Sequence, residues 1–156
     1  MMQRKPILRV SAKLLIPAIL LFALYVQFHG DFGPGGGFQA GVIFASGFIL
    51  YALVFGVDML RKVWPAWFSR LTLSFGVLLY AGTGVASLFK GGSFLNYSLL
   101  AHDPVHGQHY GILVIELGVG ITVASAMVTI FAVYAERVKN MVEMIDKNEK
   151  NSGGPA

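Results

Sequence analysis

Long apolar runs separated by short polar or glycine-rich joints set the pattern of this chain, and four of the runs are long enough to cross a bilayer as helices. They extend over about Leu8 to Phe28, Phe38 to Val57, Leu71 to Phe89 and Gly111 to Ala135, each near the roughly 20 residues that a spanning helix needs. Apolar residues cover all faces of runs such as Leu14 to Phe28, whereas a transmembrane β-barrel would alternate polarity over shorter segments. The pattern predicts an all-α integral membrane protein with four transmembrane helices. Residues 1–135 then form one transmembrane domain. Residues 136–156 form a tail that is first helical, because Val138, Met141, Val142 and Ile145 recur at helical spacing among charges, and disordered from Asn151 to Ala156.

Composition agrees with a membrane protein: 55% of the 156 residues are hydrophobic and only 13% charged, with the charges almost entirely outside the apolar runs. Arg4, Lys5, Arg9 and Lys13 precede or open the first helix, Arg61, Lys62 and Arg70 fill the second joint, and Arg137, Lys139, Lys147 and Lys150 follow the fourth helix. Only Lys90 lies on the other side. Basic flanks stay preferentially in the cytoplasm, so both termini are expected there, with the first and third joints facing outward. The net charge of +4 is explained by these flanks, which form no single patch for nucleic acid. Absence of cysteine excludes disulfides and thiol catalysis. Tyr25 to His29 offers no small-residue cleavage site, so the first helix is expected to be retained rather than removed as a signal peptide. Trp64, Pro65 and Trp67 among basic residues read as an interfacial anchor.

Small residues mark the helix faces that pack closely. Gly37, Gly41 and Ala45 share one face of the second helix, and Gly76, Tyr80, Thr83, Gly84 and Ser87 lie on or near one face of the third. These faces offer more contact surface than a four-helix bundle uses internally, which implies a partner subunit. Four helices are also few for a transporter built from inverted repeats. Asp103 followed by Pro104 reads as an N-cap with proline at the first helical position, so the fourth helix is expected to begin before Gly111.

Glu116 carries the strongest chemical signal, as the only acidic residue well inside an apolar run. Counted from Gly111 it lies about 8 Å inside the outer end of its helix. A charge at membrane depth costs about 2.5 kcal/mol or more. Glu116 must therefore pair, coordinate an ion, line a wet cavity or be protonated, either as a structural acid or as an ion-handling group. The four histidines, His29, His102, His106 and His109, all fall on the predicted outer side. With Asp31 and Asp103 they supply enough ligands for a metal, but the spacing matches no metal motif. Proton collection near an ion path suits them better, given an unperturbed pKa near 6.5. The joint from His29 to Gly41 holds three consecutive glycines, Gly35 to Gly37, which leave its shape to be fixed by packing. It lacks the lysine and Ser/Thr of a nucleotide-binding loop. Tyr25, Gln27 and Gln39 are further groups able to solvate an ion or steady this joint. No nucleophile and base are spaced as in an enzyme, and no cofactor is expected.

The run His29-Gly-Asp-Phe-Gly-Pro-Gly-Gly-Gly-Phe-Gln-Ala-Gly41, entering a transmembrane helix, resembles the signature of the B subunit of Mrp-type multi-subunit sodium/proton antiporters, the MnhB-like family. The stretch Gly111 to Gly120 around Glu116 is similar to that family's last helix, and the resemblance covers roughly Lys13 to Tyr134. It departs at Gly33 and at Ala40, where the family often has another residue and a glycine. The resemblance implies a multi-pass subunit of a hetero-oligomeric complex in a prokaryotic cytoplasmic membrane. That complex exchanges sodium ions for protons, and its partners are the other Mrp-type subunits and the lipid bilayer. It further implies that Pro34, Gly35, Gly36, Gly37 and Phe38 serve loop packing and assembly, together with Gly41 of the small-residue face. Glu116, His29 and Asp31 are then the candidates for the ion path or proton handling. Two other readings remain open: an ion-translocating subunit of a redox-driven membrane complex of hydrogenase type, and a free-standing metal-binding membrane protein.

Overall fold

A computed structural model of the chain describes residues 6–30, 35–99 and 103–152. The described residues are helical throughout apart from short joints: α1 (Pro6–Phe28), α2 (Gly37–Phe55), α3 (Val57–Val63), α4 (Ala66–Phe89), a 3₁₀ turn (Tyr97–Leu99) and α5 (Pro104–Ser152). Four of these helices, α1, α2, α4 and α5, are long and apolar enough to cross a membrane. The second joint differs from the expected open loop. Gly56 adopts φ 99° and breaks the chain between α2 and α3, a conformation that glycine tolerates without a Cβ clash. The next residues then turn into α3, and α4 begins at Ala66, ahead of the expected Leu71.

α5 begins at the predicted cap. The Val105 amide donates to the Asp103 side chain at 3.0 Å and the Gly107 amide to the Asp103 carbonyl at 2.9 Å, with Pro104 at the first helical position where its missing N–H costs nothing. The helix then continues without a break to Ser152, so Asn151 and Ser152, expected to be disordered, are helical. Their expected disordered neighbours, 153–156, lie outside the described residues.

The spanning helices stand in an open row in the order α1, α2, α5, α4, each packed on its neighbour. α1 touches α5 only lightly, and its contact with α4 is marginal at most, so the row does not close into a bundle. The central helices α2 and α5 are accordingly the better buried, while α1 and α4 keep most of their apolar surface outward. In water such surface would drive aggregation. In a bilayer, lipid or partner helices cover it.

Packing is tightest where α2, α3, α4 and α5 meet on the side of the basic joint. Ala45, Ala52, Leu60, Trp64, Val128 and Ala132 form a buried cluster, with Phe48 and Phe68 against it. Trp64 corrects the expectation of a headgroup anchor. It is only 8% exposed, edge-on to Phe48 and Phe68 with centroids 4.8 and 4.9 Å away, and its indole N–H donates to the Ser69 hydroxyl at 2.7 Å. That partner satisfies the one polar atom a buried indole carries. Trp67, at 58% exposed, keeps the outward position that suits an interfacial ring.

Two ion pairs clasp α3 to α5. Arg61 forks onto Glu136, donating from Nε to Oε1 and from Nη2 to Oε2 at 3.0 Å, while Lys139 reaches both oxygens of Asp58 at 2.7 and 2.8 Å. The residues lie three apart on each helix, so both pairs share a face. Hydrogen bonding from Arg61 holds the Glu136 carboxyl below its ordinary 4.5, against a smaller opposing effect of burial. A depressed carboxylate pKa contributes stability that is complete above the unfolded value and is lost as pH falls through the folded one. Thermal unfolding of the detergent-solubilised protein is therefore expected to fall more steeply between about pH 5 and about pH 3 for the wild type than for Glu136→Gln. Parallel curves for the two would remove the clasp's contribution.

Candidate functional site

The glycine joint and the membrane glutamate, far apart in sequence, meet at the end of the row where α1 stops and α2 and α5 begin. α2 and α5 both start at that end and run in the same direction, and their small residues register one turn at a time. A methyl group built on Gly37 would overlap the Glu116 backbone carbonyl, and one on Gly41 would lie 2.6 Å from the Gly120 carbonyl. Gly37 and Gly41 on α2 thus face Glu116 and Gly120 on α5, matched at four-residue spacing on both helices. Only glycine allows backbones this close. The opposite face of α5 repeats the device, since a methyl on Gly76 of α4 would lie 2.7 Å from the Gly118 carbonyl.

This approach brings the Glu116 carboxylate against the joint. A methyl on Gly30 would lie 2.7 Å from Glu116 Oε2, and one on Gly36 would lie 3.1 Å from Oε1. The Glu116 side chain therefore occupies a cradle to which Gly30 and Gly36 contribute backbone. Gly36 itself has φ 132°, a value that a side chain makes strained, and it is the N-cap of α2 with no side-chain cap. Helix N-termini carry unsatisfied N–H groups and a partial positive charge. Glu116 places a carboxyl group at that end of α2 from a neighbouring helix, where negative charge is favoured.

The remaining sequence candidates divide by position. Gly36, Gly37 and Gly41 line the α2 end of the cradle or the seam below it and Gly35 packs on Val26 and Gly30 at the end of α1, whereas Phe38 is 64% exposed and lines the α1–α2 groove. His29 is exposed at the end of α1 and stacks on Tyr25 with centroids 4.9 Å apart. Asp31 and Pro34 lie outside the described residues, as does His102. His106 pairs with Asp103 at 3.2 Å, and His109 sits beside Tyr110. Among the described residues no three His, Asp or Glu side chains converge as metal ligands.

Two residues of the site, Gly30 and Gly120, are not among the candidates that the sequence singles out, and Gln27, expected to solvate an ion or steady the joint, reaches further than expected. Gly30 and Gly120 complete the cradle and the seam, and Gln27 of α1 reaches so far across that a methyl on Gly120 would overlap its Oε1. The signal for Gly120 was present: Glu116, Gly120 and Ala124 repeat the four-residue spacing of Gly37, Gly41 and Ala45. Gly30 gave none, because nothing local ties the end of α1 to α5.

The sequence profile described as a domain related to the MnhB subunit of Na+/H+ antiporters matches residues 7–129. Among curated proteins, one from Staphylococcus haemolyticus named as antiporter subunit mnhB2 is 37% identical over 133 residues, spanning 83% of this chain and 94% of the relative. Its namesake in Staphylococcus aureus strain Newman is 35% identical over the same share of each chain.

The seam can be tested without reference to transport. Gly37→Ala is expected to lower the thermal stability of the purified protein by an amount in the overpacking range, about 1 to 3 kcal/mol. Gly82→Ala, where a methyl meets nothing within 4 Å, is expected to be neutral or stabilising by up to about 1 kcal/mol, the helix-propensity gain. Equal effects of the two substitutions would contradict the close approach of α2 and α5.

Proposed function

The chain belongs to the family of proteins related to the MnhB subunit of Na+/H+ antiporters, and from that premise we propose how it serves such an antiporter. It is a membrane-embedded subunit of a multi-subunit Na+/H+ antiporter, and it contributes to transport through the assembly rather than as a free-standing enzyme. The complex sits in a prokaryotic cytoplasmic membrane, exchanges sodium ions for protons, and surrounds this subunit with the other Mrp-type subunits. Both termini and the α3–α5 clasp face the cytoplasm, and the Glu116 cradle faces outward.

Glu116 stands in or beside the ion path, with His29 and Asp31 at its outer mouth. The observation that carries this reading is the cradle itself. A carboxylate inside an apolar span is held against backbone at the N-terminus of α2. No larger side chain would leave room for it at Gly30 or Gly36. The joint from Pro34 through Gly37 and Gly41 fixes this geometry, and exposed Phe38 carries the contact to a neighbouring subunit. The open row supports the same reading, because α1 and α4 each leave a broad apolar flank for partner helices. The redox-driven alternative draws no support from the two relatives described, both named as antiporter subunits.

In the assembled complex, Glu116→Gln is expected to preserve assembly while reducing sodium-dependent proton exchange at least tenfold and shifting its pH dependence. Wild-type exchange with an unaltered pH profile would end the ion-path role. Gly36→Leu, which combines a strained φ with a side chain aimed at Glu116, is expected to abolish assembly or transport. Because the chain has no cysteine, single cysteines introduced at positions 29 and 150 give a clean topology test. Labelling from outside at 29 only is expected, and the reverse pattern would invert the orientation.

A further inference from the structure

Just inside the Glu116 cradle, the four spanning helices enclose a half-open cleft of about 430 Å³. Its walls are almost wholly apolar, with Phe44, Phe68 and Phe75 among them, and its polar side chains include Thr72, Ser125 and Gln27. Thr72 and Ser125 are engaged with the fold. The Ser125 hydroxyl donates to Thr72 Oγ1 at 2.7 Å, and the Thr72 hydroxyl donates to the Phe68 carbonyl at 2.9 Å, which joins α4 to α5. Gln27 is different. Its Oε1 rests against Gly120, one turn inward of Glu116 and so about 6 Å deeper. The Gly37 carbonyl lies 3.2 Å from the same point where a Gly120 methyl would stand. Gln27 therefore brings a carboxamide oxygen to the boundary between the carboxylate cradle and the apolar cleft.

An amide oxygen is a hard, neutral donor suited to an alkali cation stripped of part of its water, and it carries no titratable proton. The Val26 carbonyl at the C-terminal end of α1 lies nearby at the joint, 3.1 Å from a methyl built on Gly35. Helix C-termini present partial negative charge, which favours a cation and disfavours an anion. We propose that Gln27 is a cation ligand of this antiporter, the oxygen that meets the sodium ion one turn inward of Glu116, beside the Gly37 carbonyl. This inference rests on the Glu116 reading and adds to it a division of labour: Glu116 binds both proton and cation, and Gln27 only the cation.

The test is sodium-dependent proton exchange by the assembled complex in everted vesicles, measured against sodium concentration and against pH. Gln27→Met keeps the side-chain length and removes the oxygen. It is expected to assemble normally, raise the half-saturating sodium concentration about tenfold, the cost of one lost ion–dipole contact, and leave the pH profile unchanged. Gly120→Ala, which pushes a methyl onto Oε1, is expected to reproduce the defect, while Gln27→Asn, retaining the amide, recovers part of the affinity and tests the role should the methionine variant not assemble. An unchanged sodium dependence in Gln27→Met overturns the proposal. So does a loss of activity that merely follows complex yield, or an Asn variant no better than Met. Normal Gln27→Met beside a defective Glu116→Gln overturns this inference alone, whereas normal behaviour of both overturns the Glu116 reading with it.

Discussion

The structure depends on one close approach, that of Gly37 to the backbone at Glu116. In a bilayer there is no hydrophobic gain from bringing two apolar helices together, because lipid tails serve each helix equally well. Dense van der Waals contact and polar interactions must hold them instead. Glycine at positions 37 and 41 lets α2 and α5 meet backbone to backbone, and Gly76 does the same for α4 against the opposite face of α5. α5 becomes the axis of the subunit for that reason. The open row follows: α1 has a partner in α2, α4 has one in α5, and nothing requires the two ends to meet.

The same approach explains why an expensive side chain is tolerated at membrane depth. Glu116 cannot be placed by its own helix against anything polar, since its neighbours there are isoleucine, leucine and valine. Bringing Gly37 onto its backbone carries the whole α2 N-terminus into reach, and the glycines at 30 and 36 leave the space that the carboxylate fills. Packing and electrostatics are thus one device. The glycines would be weakly held without α5, and the glutamate would be costly without α2. At the other end of the row α3 performs a more ordinary task, locking α5 by two ion pairs on one face over an aromatic cluster.

Much of this was legible in the sequence, and what was not had a physical reason. The spans, the capped start of α5 and the small-residue faces came from local periodicity and local hydrogen bonding, which the chain carries residue by residue. Glu116 and the glycine joint each stood out as locally anomalous. That they solve each other's problem is a tertiary fact, since it depends on which of several small faces pairs with which. Trp64 was misplaced because composition puts a tryptophan among basic residues at the interface, whereas the turn at Gly56 folds α3 back and carries the ring inward against Phe48. Gln27 was read as one of several polar residues near the joint. Its reach to Gly120 is a contact between helices far apart in the chain, which no local pattern records.

The position of Glu116 also bears on how its side chain is held. The N-terminus of α2, with Gly36 as its cap and no side-chain cap, favours a carboxylate, and the end of α1 reaches the same joint, with the Val26 carbonyl against Gly35 and Gly30 against the Glu116 carboxyl group. Glycine at 30 and 36 leaves the room that this group fills, so a side chain at either position would have to displace it. The seam and the polar contact therefore stand or fall together: a larger residue at 37 would separate α2 from α5 and at once withdraw the helix end that faces Glu116.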